Sequence, residues 1–323
     1  MKAIIHKAYG NPTTVLHTGS IDTPSLGPAD ILIRVHACSI GAGDWHVVRG
    51  TPFPLRFAFG LFRPKYTVPG NDFSGVVEKV GPNVTTVQPG DAVFGDVSLV
   101  GLGAFAEHVR ASEDVISVKP ENVTFEEAAA SPGAGLAALQ GLRDTAGLRP
   151  GQHVLINGAS GGVGSFAVQI AKHMGARVTG VCSTRNVDFV TSLGADDVID
   201  YTREDFGQNH GRYDVIFDAA AYRPFSQVWN SLTPNGTYVF VGGGDALLMR
   251  TMLLGPLRSR KNGRSVKIFM ARANATDLQR IAELLSIGAV KPYIERVYPF
   301  DETPQAIAFV ERGRTRGKIV VTI

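Results

Sequence analysis

A chain of 323 residues with 44% hydrophobic content can fill the cores of two ordinary domains, which excludes disorder as a working description. Its 32 basic and 29 acidic residues leave a formal net charge of +3, too balanced for a protein whose task is to neutralise nucleic-acid phosphate. The two cysteines, Cys38 and Cys182, stand far apart in strand-like runs, which suits small buried thiols in a reducing cytoplasm better than a disulfide framework.

The opening MKAIIHKAYG has no apolar run ending in a small-residue cleavage site. No segment offers the roughly 20 apolar residues of a spanning helix, so the expectation is a soluble, untargeted, cytoplasmic chain. The first third reads as short β-branched runs, KAIIHKA, DILIRVHA, FSGVVEKVG, DAVFGDV, AFAEHV and VISVKP, separated by turns such as LGPAD and QPGD. That spacing predicts a small β-barrel. At Thr124 the rhythm changes. TFEEAAASPGAGLAALQGL reads as helical, with Thr124 as N-cap and Glu126 and Glu127 in the first turn, where the helix dipole favours them.

From His153 onward strands and helices alternate: HVLIN, SFAVQIAKHM, RVTGVC, NVDFVTSLG, DVIDY, YDVIFDAA, FSQVWNSL and TYVFVGG. Alternation of this kind predicts βαβ units and a doubly wound parallel sheet, hence an α/β fold. The basic run RSRKNGRSVK is expected to be a solvated loop, with a membrane or anionic-partner surface as the alternative. The tail, from VKIFMA to KIVVTI, loses the alternation and is expected to rejoin the first domain, giving 1–123 with 271–323 as one domain and 124–270 as the other.

NGASGGVG places Gly158, Gly161 and Gly164 as GxxGxxG, with Ser160, Gly162 and Val163 between them, where a strand passes into an amphipathic helix. Such a turn aims free N–H groups and the positive helix end at one spot, and missing Cβ atoms let a pyrophosphate approach. A dinucleotide is the ligand this predicts. An NAD site usually has Asp or Glu about 20 residues further on, to accept from the ribose 2′-hydroxyl. Here the second strand ends in VCSTRN. Ser183 and Thr184 can hydrogen-bond a 2′-phosphate and Arg185 can pair with it as a fork, so NADPH is expected; the alternative is that Arg185 is an ordinary exposed helix-start residue.

GDAVFG, GAFAEHV, NGASGGVG, LGADDVIDY and RGKIVVTI, in that order along the whole chain, resemble the zinc-independent, quinone oxidoreductase-like branch of the medium-chain dehydrogenase/reductases. Within it, CSTRNVDFVTSLGADDVIDY is similar to chloroplast-envelope quinone oxidoreductase homologues and bacterial enone reductases. The resemblance implies a GroES-like β-barrel catalytic domain, a Rossmann domain and a cleft between them. It implies that Gly161, Gly162, Val163 and Gly164 form the pyrophosphate loop and that Ser183 and Arg185 contact the 2′-phosphate. Tyr201 resembles a tyrosine beside the adenosine end, with strand-end packing as the alternative. Gly242 and Gly243 stand where the family passes its backbone near the nicotinamide, although a plain turn also explains them. Lys318 matches a lysine that faces the cofactor, with exposure on an edge strand as the alternative.

In zinc-dependent relatives the segments aligned with SIGAGDWHVVRG and VPGNDFSG carry metal ligands; here those positions are Gly41, Asn71 and Asp72. SPGAGLAAL lacks the third ligand, a cysteine, so no metal site is expected. Without a Lewis acid, a simple ketone is a poor acceptor, whereas an enone or quinone delocalises the charge that hydride delivers. By family position Asp44, Trp45 and Asn71 are the catalytic candidates, and Phe53, Phe57 and Phe59 can supply an apolar wall. Each has an ordinary alternative: turn cap, core, loop tether and packing. Asn and Thr, common in the family at the positions of Gly41 and Ala137, are missing, and water is the default proton source.

The expected function is an NADPH-dependent, zinc-independent reductase of quinones or α,β-unsaturated carbonyls. An enoyl-thioester reductase is the rival within the class, and a low-turnover NADPH-binding structural or sensor protein is the rival outside it. A homodimer is expected by analogy, with VKIFMA as the edge strand that extends a sheet across subunits.

Overall fold

The computed structural model describes residues 1–258 and 263–323, in two compact units. Residues 259–262 of the basic run lie outside the described residues. The first unit comprises Met1–Ala134, Arg272–Gly288 and Pro292–Ile323; the second comprises Gly135–Ala271 and Ala289–Lys291.

In chain order the first unit supplies β1 (Lys2–His6), β2 (Leu16–Ser20), β3 (Asp30–Ile40), β4 (Asp72–Val80), β5 (Ala92–Asp96), β6 (His108–Ser112) and β7 (Ile116–Val118). The second supplies β8 (His153–Asn157), β9 (Arg177–Cys182), β10 (Asp197–Asp200), β11 (Tyr213–Asp218), β12 (Leu232–Phe240) and β13 (Ser265–Ile268). β14 (Ile294–Pro299) and β15 (Lys318–Thr322) then return to the first unit.

The first unit is built on a seven-stranded sheet ordered β14-β15-β3-β4-β5-β7, with β6 on β3, and a separate β1-β2 hairpin. Its strands are antiparallel except for β14 on β15. The tail therefore rejoins the first unit because β15 inserts between β14 and β3, where Ile319, Val320 and Val321 are fully buried. Ala129 and Ala130 pack against Ala37 and Val320, so the helix Phe125–Ala129 groups with this unit, whose first segment runs to Ala134 rather than ending at 123. Thr124 caps that helix as expected. Its hydroxyl accepts from the Glu127 N–H and the Glu127 carboxylate accepts from the Thr124 N–H.

The second unit is an all-parallel sheet ordered β10-β9-β8-β11-β12-β13, with every strand pair parallel. Continuous apolar runs such as VLI in β8 and VIF in β11 are buried because helices cover both faces of such a sheet. Numbered from β8, the order is 3-2-1-4-5-6, the doubly wound Rossmann arrangement, and the order reverses between β8 and β11. Ligands of such folds bind outside the strand carboxyl ends at that switch. Elements not expected from the sequence include the hairpin strand β2 and the helices Ala42–Arg49 and Asp245–Arg258.

Among the described residues no helix is long and apolar enough to cross a membrane. Cys38 and Cys182 are free, buried thiols.

Candidate active site

In the second unit the switch point is built by three turns. After β8 the chain enters Gly158 at φ 77°, a left-handed conformation, where a methyl group would also lie 2.7 Å from Ala220 Cβ. Gly161 caps the helix Gly162–His173, so the helix starts within the glycine turn and its first N–H groups face the strand ends. Gly164 sits one turn in and packs on the Gly158 carbonyl without room for a Cβ. Ser160, Gly162 and Val163 complete the turn and are half-exposed.

The second turn follows β9. Asn186, buried, donates to Ser160 Oγ at 2.9 Å and so ties this turn to the glycine turn. Ser183 is half-exposed and Arg185 exposed. Thr184 differs from expectation: its hydroxyl donates to Asp200 Oδ2 at 2.6 Å and lies 2.9 Å from Thr202 Oγ1. That hydrogen bond, the largest cause, helps hold the Asp200 carboxyl below its ordinary range. Tyr201 follows β10 and is exposed, so strand-end packing does not account for it.

The third is formed where the segments that leave β11 and β12 meet. The Ala221 N–H donates to Gly242 O at 2.8 Å, and Gly243 pairs with Ala221 as an isolated parallel bridge. Beneath these turns lies a network that sequence reading missed. Asp218 ends β11 and accepts from Asn157 Nδ2 at 2.7 Å and from Tyr238 OH at 2.7 Å, while Asn157 Nδ2 also reaches Ala220 O. Burial pushes the Asp218 carboxyl up to about 6 and, with Asp218 alongside, raises the Tyr238 phenol. The available signal was a polar residue closing an apolar run, in HVLIN and in YDVIFD.

The first unit gathers a separate cluster. Asp44, on the helix Ala42–Arg49, accepts from the Gly41 N–H through Oδ2 at 2.7 Å, while its buried Oδ1 has no hydrogen-bond partner among the described residues. A methyl group at Gly41 would be 3.8 Å from both Asp44 Oδ2 and Lys318 Nζ. Lys318 is only 4% exposed and lies 3.3 Å from Asp72 Oδ2. The alternative of an exposed edge lysine therefore fails, because β15 is an interior strand of its sheet. Asp72 also accepts from Ser39 Oγ and from the Gly133 N–H, both at 3.0 Å.

Asn71 presents a second buried, unpartnered oxygen, Oδ1, and a methyl group at Gly43 would lie 3.7 Å from its Nδ2. Trp45 is half-buried and stacks on His46, whose Nδ1 lies 2.7 Å from Thr51 O. The structure thus brings Asp44, Asn71, Asp72 and Lys318 into one neighbourhood. Phe53 and Phe57 stand exposed.

Burial pushes the Asp44 carboxyl from its ordinary 3.8 to about 7, with the Gly41 N–H and Lys318 opposing and Asp72 and Asp96 adding to the rise. Burial likewise lifts Asp96 to about 6. A carboxyl raised on folding contributes its stability below its unfolded value and loses it as pH climbs through the folded value. Asp44 should therefore cost up to about 4 kcal/mol between pH ~4 and ~7. Urea unfolding across that window should show Asp44→Asn gaining on the parent as pH rises. A constant difference between the two would contradict the burial.

The residues standing at the relatives' metal positions do not suit zinc. Gly41 has no donor, Asn71 offers a neutral amide, and Asp72 is already beside an ammonium group that repels a cation. Among the described residues, no group of three or more His, Cys, Asp or Glu side chains could hold a metal ion.

A 3-2-1-4-5-6 parallel sheet with a glycine-bare turn at its switch point, in one chain with an antiparallel β unit, defines a nicotinamide-dependent oxidoreductase. Comparison with known proteins gives the same class. Residues 27–121 match the alcohol dehydrogenase GroES-like domain, and residues 193–321 match the zinc-binding dehydrogenase family. The chain is 32% identical over 330 residues to the chloroplast envelope quinone oxidoreductase homolog of Arabidopsis thaliana, covering 99% of this chain and 98% of that one. It is 30% identical to the NADPH-dependent alkenal/one oxidoreductase, chloroplastic, of the same plant, over 99% of this chain and 79% of the relative. Among solved structures, the quinone oxidoreductase from Coxiella burnetii superposes with a TM-score of 0.87 at 30% identity, covering 100% and 99% of the two chains. The chain belongs to the medium-chain dehydrogenase/reductase superfamily, in the branch of quinone oxidoreductases and enone reductases.

Proposed function

We propose that this oxidoreductase uses NADPH to reduce quinones or α,β-unsaturated carbonyls without a zinc ion. The observation that carries the cofactor choice is the turn after β9, which ends in Cys182 and continues through Ser183 and Arg185 with no carboxylate of its own. The glycine turn fits a pyrophosphate because Gly158, Gly161 and Gly164 keep Cβ atoms out of it, and Ser160, Gly162 and Val163 supply its remaining backbone. With the Thr184 proton committed to Asp200, Thr184 fixes the turn, and the 2′-phosphate contacts fall to Ser183 and the Arg185 guanidinium. We assign Tyr201 to the adenosine end and the Gly242–Gly243 backbone to the nicotinamide end.

When bound, the cofactor supplies a hydride. A conjugated acceptor can take it up at carbon because the electron pair displaced onto oxygen is delocalised, so no Lewis acid is required of the chain. The Asp44 carboxyl, pushed up to about 7 by burial, can take up and release a proton near neutral pH at its unpartnered Oδ1, and Asn71 offers a second such oxygen for orienting an acceptor or a water. Trp45 contributes an apolar face. Lys318, held by Asp72, acts through the charge balance of that cluster.

The reading is tested by a steady-state panel of NADPH and NADH against small enones, alkenals and quinones. NADPH should be preferred, and Arg185→Ala should weaken NADPH about tenfold or more with little change for NADH, the loss of one charged phosphate contact. An unchanged preference removes the assignment. NADPH binding without acceptor-dependent loss of absorbance would instead indicate a binder. We also propose a homodimer through β13, the outer strand of its sheet. A monomeric mass in size-exclusion chromatography rejects it.

A further inference from the structure

The first unit carries an exposed apolar surface formed by the stretch PFPLRFAFGLFRPKY, residues 52–66. Two short helical turns, Phe53–Leu55 and Arg56–Phe59, lead into a reversal at Gly60 that the Lys65 N–H closes on Phe59 O at 2.7 Å. The backbone is anchored. Tyr9 OH donates to Phe59 O and Gly60 O, and Arg56 donates to Gly50 O while lying over the Tyr9 ring.

From this anchored frame, side chains that would ordinarily be buried face solvent. Phe62 is 90% exposed, Phe57 73% and Phe53 58%, and Leu61 beside Phe62 at the tip is exposed too. Phe53 and Phe57 meet edge to face at 5.9 Å. A second loop extends the surface: Leu99 and Val100 are exposed, and a methyl group at the adjoining Gly101 would lie 3.6 Å from Tyr66 Cε1. A cluster of exposed apolar side chains in two neighbouring loops marks a contact site.

Charge selects the occupant. Residues 45–71 contain no Asp or Glu but do contain Arg49, Arg56, Arg63 and Lys65, and residues 97–103 carry no charge. Arg49 is taken up by Glu311, and Arg56 by the contacts above. Arg63 and Lys65 are exposed, and among the described residues neither meets a carboxylate. A two-fold contact with a second copy would set these cations against their own copies with no acid to answer them. Aromatic side chains at a turn tip, flanked by cations and free of acids, match the boundary of a bilayer, where rings enter the acyl region and cations meet lipid phosphate.

We propose that this surface docks the chain peripherally onto anionic phospholipid bilayers, with Leu61 and Phe62 inserted and Arg63 and Lys65 among the headgroups. The proposal goes beyond the reductase reading and does not depend on it, since its test contains neither cofactor nor acceptor.

The full chain should sediment with phosphatidylcholine vesicles containing phosphatidylglycerol, and less with phosphatidylcholine alone. Leu61→Ser with Phe62→Ser should lower the vesicle-bound partition about tenfold. Arg63→Gln with Lys65→Gln should remove the dependence on phosphatidylglycerol. Matched circular dichroism spectra establish that the variants are folded, and exposed positions tolerate the changes. A parent chain left in the supernatant with anionic vesicles overturns the proposal, as does undiminished sedimentation of the Leu61/Phe62 variant. A lipid-free dimer that the same variant dissociates would assign the surface to a second copy and overturn it equally.

Discussion

Gly164→Ala should destabilise the second unit by about 3 kcal/mol and abolish cofactor binding, because the added methyl meets backbone that cannot yield. Its Cβ would overlap the Gly158 carbonyl oxygen, with Gly158 C at 2.7 Å and Ala159 Cα at 2.8 Å. Gly158 cannot retreat, since it is held in a left-handed conformation against the turn that carries Ala220. The helix Gly162–His173 must therefore shift away from β8, and the N–H groups at its start move with it. Gly161→Ala is the control: its methyl would be 3.4 Å from Gly158 O, a contact the fold can absorb, yet it enters the space proposed for the pyrophosphate. Urea unfolding with a fluorescence titration by NADPH separates the two, with both readouts lost for Gly164→Ala and only binding weakened for Gly161→Ala. Parent-like stability for Gly164→Ala would refute the packing described above.

Lys318→Met should cost about 3 kcal/mol at pH 8 and much less at pH 5. The change removes the ammonium beside Asp72 in a buried setting that also holds Asp44 and Asp96, both lifted by burial and both lowered in part by Lys318. Asp72 keeps two donors, Ser39 Oγ and the Gly133 N–H, which places the cost at the low end for a broken buried pair. The sign follows from linkage. Without Lys318 the folded values of Asp44 and Asp96 rise further, and the stability of a group raised on folding is lost as pH climbs through its folded value. The penalty therefore grows with pH. Chemical denaturation at both pH values checks it, and a penalty equal at the two would show that Lys318 contributes packing rather than charge.

Local pattern carried most of the second unit into view. Strand and helix alternation from His153 and the glycines between β8 and its helix are set by short-range rules of periodicity and backbone freedom, and the structure supplies the 3-2-1-4-5-6 order they imply. The turn of composition at Thr124 was legible as a helix cap but not as a boundary, since which sheet the helix Phe125–Ala129 covers depends on Ala37 and Val320, remote in the chain. The helix carrying Asp44 and Trp45 went unread because its eight residues, AGDWHVVR, begin with glycine as N-cap and show only a weak apolar stripe.

The amino-acid sequence by itself determined the architecture, the glycine turn between β8 and its helix, and the lack of thiol and imidazole side chains at the relatives' metal positions, because each depends on residue type and spacing along a few tens of residues. Only the tertiary structure decided that Lys318 is an interior cation paired with Asp72, that Thr184 is spent on Asp200, and that Asn157 and Tyr238 brace Asp218 under the turns. The reason is physical: the charge state and hydrogen-bond capacity of a side chain are set by its buried neighbours, and Lys318 and Asp72 stand 246 residues apart until β15 enters the sheet beside β3.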